Sequence, residues 1–111
     1  MRTSFRLPDL VVPINEDESN VIDKSRFRYA DGFLLGVPDV SFTGEPFLYV
    51  SLDGGVTYEV LSSNGTPVTL TPGQAIPLTF QAWTHMKIVS SSNEAAARTF
   101  QLRAFEALNL V

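Results

Sequence analysis

From Pro46 onward, apolar and polar positions alternate in short runs separated by turn residues, the spacing of an all-β sandwich or barrel. Phe47-Leu48-Tyr49-Val50-Ser51-Leu52 is aromatic and β-branched with both faces largely apolar, which predicts a central strand. Asp53-Gly54-Gly55 then supplies residues that tolerate the positive φ of a tight hairpin. In the returning strand Val56, Tyr58 and Val60 alternate with Thr57 and Glu59, so one face is expected buried and the other wet. Ser62-Ser63-Asn64-Gly65 makes the next turn, Val68 and Leu70 face inward past Pro67, and Thr71-Pro72-Gly73-Gln74 suits a type II turn with Gly at its third position. Ile76, Leu78, Phe80 and Ala82 again alternate, with Pro77 confined to an edge or a strand start because it cannot donate to a ladder. Met86 and Ile88 continue the inward set beyond a break at Trp83-Thr84.

The last strand is the clearest, with Phe100, Leu102 and Ala104 on one face and Thr99, Gln101 and Arg103 on the other. Before it, Asn93-Glu94-Ala95-Ala96-Ala97-Arg98 carries an N-cap, an early acid and a late base, enough for one helical turn. Near the start, Phe27 and Tyr29 alternate with Arg26 and Arg28, and Phe33-Leu34-Leu35 precedes Gly36 and Pro38, which gives two further short strands. The total of about eight strands predicts a compact antiparallel β-sandwich, for which a jelly roll is one common closure. Residues 1–20, with Pro8, Pro13 and the acids Glu16-Asp17-Glu18, read as an extended N-terminal arm, leaving 21–111 as the sandwich domain.

With 111 residues there is room for a single domain, and 44% hydrophobic with 18% charged residues is a globular balance. The chain has no cysteine, so disulfides, thiolate nucleophiles, zinc fingers and iron–sulfur ligation fall together. A net charge of −4 argues against general nucleic-acid binding. No apolar run approaches the roughly 20 residues a bilayer demands, and Met1–Pro8 leads into no signal-peptide core, so neither a membrane protein nor a Sec-secreted one is expected. Charge is uneven: five of the eight basic residues precede Tyr29, and none lies between Tyr29 and Met86.

Catalysis asks for a base, a nucleophile or a metal in a converging cluster, and candidates are few. His85, the single histidine, falls on the strand face opposite Met86 and Ile88. Asp53 and Glu59 could be drawn as a carboxylate pair, but they flank a hairpin, where a turn-forming Asp and a solvated Glu explain them. Neither Asp53-Gly54-Gly55 nor Glu16-Asp17-Glu18 has the spaced oxygens of a calcium loop, and Asn64-Gly65-Thr66 is explained as a turn before it is a glycosylation site. No enzyme activity and no cofactor are expected. Trp83, with Tyr49 and Tyr58, is either core or a ring platform for stacking a sugar.

The apolar string Leu7, Leu10, Val11, Val12 and Ile14 asks for a partner, either the domain's own flank or another chain, and the end of the sequence, Phe105 to Val111, repeats the theme. The extended start reaching Ser19-Asn20-Val21-Ile22-Asp23, the Thr-, Ser- and Gly-rich hairpins of Phe47 to Phe80, and the closing strand Arg98-Thr99-Phe100-Gln101-Leu102-Arg103 resemble the small head-decoration proteins of tailed double-stranded DNA bacteriophages, most of all the cement or staple proteins of short-tailed phages. The likeness runs through nearly the whole chain in length and order of features, without a diagnostic motif. It implies a jelly roll, often a homodimer or other homo-oligomer, that sits on the capsid surface of the virion after assembly in the host cytoplasm and clamps neighbouring major capsid proteins. On that reading Arg2, Phe5, Arg6, Leu7, Leu10, Val11, Val12, Ile14, Arg26 and Arg28 form the interface, the arm adding strands to a neighbour's sheet edge and the arginines meeting carboxylates. The alternative is a carbohydrate- or receptor-binding accessory β-domain of a phage tail or fibre that uses Trp83.

Overall fold

The computed structural model describes residues 2–23, 32–63, 65–79 and 83–107. In chain order its strands are β1 (Arg2–Arg6), β2 (Leu10–Val12), β3 (Ile22–Asp23), β4 (Gly32–Gly36), β5 (Pro46–Ser51), β6 (Glu59–Val60), β7 (Ser62–Ser63), β8 (Thr66–Pro67), β9 (Ala75–Thr79), β10 (His85–Ser90) and β11 (Arg98–Ala107). They make an all-β antiparallel sandwich. In one sheet β1 and β2 both pair with β11, which is followed by β4 and β9; the other runs β3-β10-β5-β6, and β7 with β8 forms a small ribbon. If β1 and β2 count as one broken strand and the ribbon is set aside, every connection changes sheets except the β5–β6 hairpin, which is the strand order of a jelly roll.

The two sheets meet over one apolar core. Leu10, Val12, Phe33, Leu35, Phe100 and Leu102 face inward from the first, and Ile22, Leu48, Val50, Met86 and Ile88 from the second. Each such side chain contributes about 1.5–3 kcal/mol on burial. Two aromatic pairs sit towards opposite ends of this core. Phe42 stacks on Phe100 with ring centres 5.7 Å apart, and Phe33 lies tilted against Trp83 at 5.5 Å.

Local chemistry accounts for most boundaries. Gly73 has φ 77° and Gln74 N–H donates to Thr71 C=O at 3.3 Å, as the type II turn requires. Pro77 lies in β9 at the edge of its sheet, where its missing donor leaves no ladder bond unmade. The alternation of β11 and the inward set of β10 follow the sequence reading without change.

Three expectations are corrected. The N-terminal segment is not a free arm: β1 and β2 are strands of the first sheet, and Leu7, Leu10 and Val12 are buried in the chain's own core, so a boundary at residue 20 separates nothing. The apolar string had a partner in its own flank, and Pro8 merely breaks the strand in two. Between β5 and β6 the chain forms a wide loop, with Leu52 and Val56 62% and 78% exposed, because Asp53 draws the backbone of Thr57 to itself before the strand can return. The Asn93–Arg98 stretch is not helical; the Glu94 side chain turns inward and takes its hydrogen bonds from other loops. The alternation of Phe27 and Tyr29 with Arg26 and Arg28 lies outside the described residues, as do Phe80 and Ala82.

Candidate functional site

The jelly-roll order sends the connections to two ends. Those after β2, β4, β8 and β10 gather at one end, and strands β3, β5 and β9 finish at the other. Each described end is organised around one carboxylate.

At the first end Glu94 is 1% exposed. Its Oε1 accepts from Thr43 N–H at 2.9 Å and Arg98 Nε–H at 2.9 Å, and its Oε2 from Gly44 N–H at 2.8 Å and Ser90 Oγ–H at 2.7 Å. Its own backbone joins the loop after β2, accepting from Asn15 N–H at 2.8 Å and donating to Glu16 C=O at 2.9 Å. Burial alone would push the Glu94 carboxyl up; the two backbone N–H groups, Arg98 and Ser90 outweigh it and hold the group at about 2. Arg98 also donates to Ser41 C=O at 2.9 Å. Three connections are thus tied together at one residue, the loop after β2 through its backbone and the loop after β4 through its side chain. Beside this knot a groove of about 370 Å³ opens, walled by Phe42, Pro46, Leu70 and Pro72 and rimmed by Thr43, Glu45, Thr69, Thr71 and Ser91.

At the second end Asp53 is exposed and shapes the β5–β6 loop. Its Oδ1 accepts from Ser51 Oγ–H at 2.8 Å and Thr57 N–H at 2.9 Å, and its Oδ2 from the Thr57 hydroxyl. The Thr57 side chain and backbone, then Ser51, hold its carboxyl at about 2, well below the usual aspartate value. Gly54 N–H reaches Thr84 Oγ1 at 3.1 Å and Thr84 N–H reaches Ser51 C=O at 2.7 Å, which clasps the loop to the start of β10. His85 belongs to the same clasp, its Nδ1 2.9 Å from Thr84 Oγ1 and its Nε2 3.7 Å from Asp23 Oδ2. A hydroxyl, an imidazole and a carboxylate in sequence are the parts of a nucleophilic relay. Here the Thr84 hydroxyl accepts from Gly54 N–H and donates its proton to Ser51 C=O at 3.3 Å, not to His85, so the arrangement pins a loop.

The outer face of the first sheet carries a further feature. Arg6 and Arg103 stand directly opposite each other in the β1–β11 register, and both are exposed. Arg6 is balanced by Asp9, whose two carboxylate oxygens both lie 3.1 Å from its Nη2. Arg103 makes no ion pair among the described residues. Like charges directly opposite on a sheet oppose its pairing.

The expected interface residues are therefore dispersed. Leu7, Leu10 and Val12 are core, Val11 is half-buried on the outer face of the first sheet, and Ile14 is 57% exposed in the loop after β2. Arg2 and Phe5 are described in backbone only, as members of β1, and Arg26 and Arg28 lie outside the described residues. The outer edge of β2 is itself occupied: Val11 N–H donates to Asn20 Oδ1 at 2.7 Å, and Asn20 Nδ2–H donates to Asp9 C=O at 3.0 Å, leaving no open ladder there for strand addition. Trp83, 2% exposed and packed on Phe33, offers no ring to a sugar. Among the described residues no group of three or more His, Asp or Glu could hold a metal ion. Sequence reasoning missed Glu94, which hid in a helix signal, and Arg103, which was placed on the outer face without its cross-strand partner.

No protein-family model matches the chain, and no curated protein matches it. A solved structure of Bacillus endospore appendages, described as a novel family of disulfide-linked pili, contains a chain similar to this one at 16% identity and a TM-score of 0.49, covering 98% of this chain and 88% of that one. None of the 111 residues here is a cysteine.

Proposed function

We propose that this chain is a structural protein that attaches to the outside of an assembled protein shell, in the manner of a phage head-decoration protein, with the major capsid protein as its partner. The observation that carries the reading is the opposed pair Arg6–Arg103 on the outer face of the first sheet. Arg6 is neutralised by Asp9, whereas Arg103 makes no ion pair among the described residues, and its exposed guanidinium is the group we assign to a carboxylate of the shell. With the N-terminal strands folded into the sheet, attachment works through this face, including Val11, and not through an arm threaded along a neighbour.

The stabilisation follows mass action. A ligand that binds only the assembled shell favours that state by its binding free energy, and many copies on one shell let a modest affinity per site suffice. Exposed charges at the rim of an interface mainly set the association rate and salt dependence.

The test is co-sedimentation of the purified chain with expanded phage heads. The expected outcome is near-stoichiometric pelleting that weakens with salt. Arg6→Gln combined with Arg103→Gln is expected to weaken pelleting at least tenfold at low salt with a thermal melt close to that of wild type, since both side chains are exposed and no like charges are left opposed. Wild-type protein that stays in the supernatant, or a double variant that pellets equally well, overturns the reading.

A further inference from the structure

We infer that the outer face of the first sheet takes an extended acidic segment of a partner protein, laid across the strands over Gly36 with a carboxylate at Arg103. The inference rests on the attachment reading above for which protein supplies the segment, and it names the part of that protein that is recognised.

Strand register sets the shape of the face. One row across the sheet carries Arg6, Arg103, Leu34 and Pro77, and the next carries Gln101, Gly36 and Ala75. In the second row only Gln101 has a side chain longer than a methyl group, so a trough crosses the strands there. Leu34 and Pro77 follow it on one side, and on the other a cavity of about 290 Å³ opens between Gly36, Pro38, Thr99 and Gln101. From Gln101 to Ala75 the trough spans two inter-strand spacings, about 10 Å, which is the length of about three residues of extended chain.

Gly36 is a glycine that the fold itself does not require. It pairs on both sides, with Gln101 and with Ala75, and its backbone is not in the left-handed region. A Cβ there would lie 3.6 Å from Gln101 Cβ and 3.7 Å from the Gln101 carbonyl oxygen, which is ordinary contact. Glycine weakens a strand, and where neither backbone nor packing calls for it, it marks a site where another backbone approaches closely.

Charge names the occupant. Arg103 is exposed and makes no ion pair among the described residues, while Arg6 opposite it is matched by Asp9. Asp39, next to Pro38, lies against the Gly73 turn, its Oδ1 3.3 Å from where a Cβ of Gly73 would be. One available guanidinium suits one carboxylate, which it can hold through two parallel hydrogen bonds. The Gln101 amide both donates and accepts, as a passing peptide group requires, and half-buried Leu34 with exposed Pro77 and Ala75 offers apolar surface to the segment's other side chains.

The test pairs a nuclear magnetic resonance titration of the full chain with co-sedimentation on expanded phage heads. The probes are an acetylated pentapeptide amide with glutamate at its second and fourth positions, its glutamine counterpart, and inorganic phosphate. The glutamate peptide is expected to shift the Gly36 and Gln101 amides and Arg103 Nε–H at millimolar concentration, and to bind at least tenfold more weakly to Arg103→Gln. Gly36→Val fills the trough. It is expected to melt no lower than wild type, since a β-branched residue suits a strand, and to lose at least tenfold in peptide affinity and in pelleting. Gly36→Ala serves the same purpose should valine disturb Gln101. Absence of peptide shifts, equal shifts from the glutamine peptide or from phosphate, or a well-folded Gly36→Val that binds the glutamate peptide as wild type does overturns the inference. The two readings fail separately. Peptide shifts at Gly36 and Arg103 without pelleting of wild type remove shell attachment and keep the trough, whereas pelleting that Gly36→Val leaves unchanged removes the trough and keeps shell attachment.

Discussion

The two ends of the sandwich solve the same problem with the same functional group in opposite surroundings. At each end a carboxylate gathers the N–H and O–H groups of its loops and is held at about 2. Asp53 does so in water, where each hydrogen bond is exchanged for one to solvent and the net gain is modest. Glu94 does so at 1% exposure, where its charge has no other solvation and every donor around it is obligatory. The difference teaches that the Glu94 end is part of the fold's stability, whereas the Asp53 loop is a shaped appendage on a finished fold.

The largest expected effect lies at Glu94. Glu94→Ala strands Arg98 and the Thr43 and Gly44 N–H groups, and removing one partner of a buried pair destabilises by about 3–5 kcal/mol, a large part of a small domain's stability. Denaturant melts check the value. The same group sets an acid limb. A carboxyl held below its ordinary 4.5 contributes stability that is fully present above that pH and is lost as the pH falls towards 2. Glu94→Gln, which cannot ionise, is expected to melt earlier at neutral pH and to lose less stability than wild type between those two values. Equal acid slopes in the two proteins would assign the limb to other groups.

How far the sequence could be read follows the same division. The alternation of β11, the inward residues of β10 and the Thr71–Gln74 turn were legible because each depends on a local period or a local φ requirement. The closing of β1 and β2 onto β11 was not, since the pattern of Leu7, Leu10 and Val12 states only that something must cover them. Glu94 was misread for a related reason: its partners Thr43 and Gly44 lie some fifty residues away in sequence, while the helix signal around it is local. Val56 was assigned inward by the period of two, yet the Asp53–Thr57 hydrogen bond interrupts that period. Of the interface residues expected from sequence, Arg6, Val11 and Ile14 remain at the described surface. Their chemistry was legible, but which of them share a face depends on register.

Glycine substitutions sharpen the contrast at a smaller scale. A Cβ at Gly44 would run into Ser90 Oγ and lie 2.6 Å from Ser92 N and 2.7 Å from Ser92 Oγ, in a loop that Glu94 does not allow to move. Gly44→Ala is therefore expected to destabilise by about 1–3 kcal/mol through overpacking. The shift should appear in the denaturant midpoint with an unchanged slope. A neutral Gly44→Ala would mean that the loop gives way and that the Glu94 knot is looser than its hydrogen bonds imply.

The smallest expected effect is at Gly54, on the other side of the comparison. A Cβ there meets nothing within 4 Å, so packing contributes no penalty. What remains is its φ of 79°, which an L side chain adopts at about 1–2 kcal/mol. Gly54→Ala should therefore cost less than Gly44→Ala although only Gly54 has an unusual backbone. Gly54→Asn should cost less still, because asparagine enters the left-handed region more readily than alanine. Hydrogen exchange separates local from global loss: if the Asp53 loop is an appendage, the strain in Gly54→Ala appears as faster exchange at Gly55 and Thr57, whose N–H groups are held by Ser51 and Asp53, while the amides of β10 and β11 keep most of their protection. Uniformly faster exchange throughout the sandwich would show instead that the loop is as integral to the fold as the Glu94 end, and the distinction between the two ends would fall.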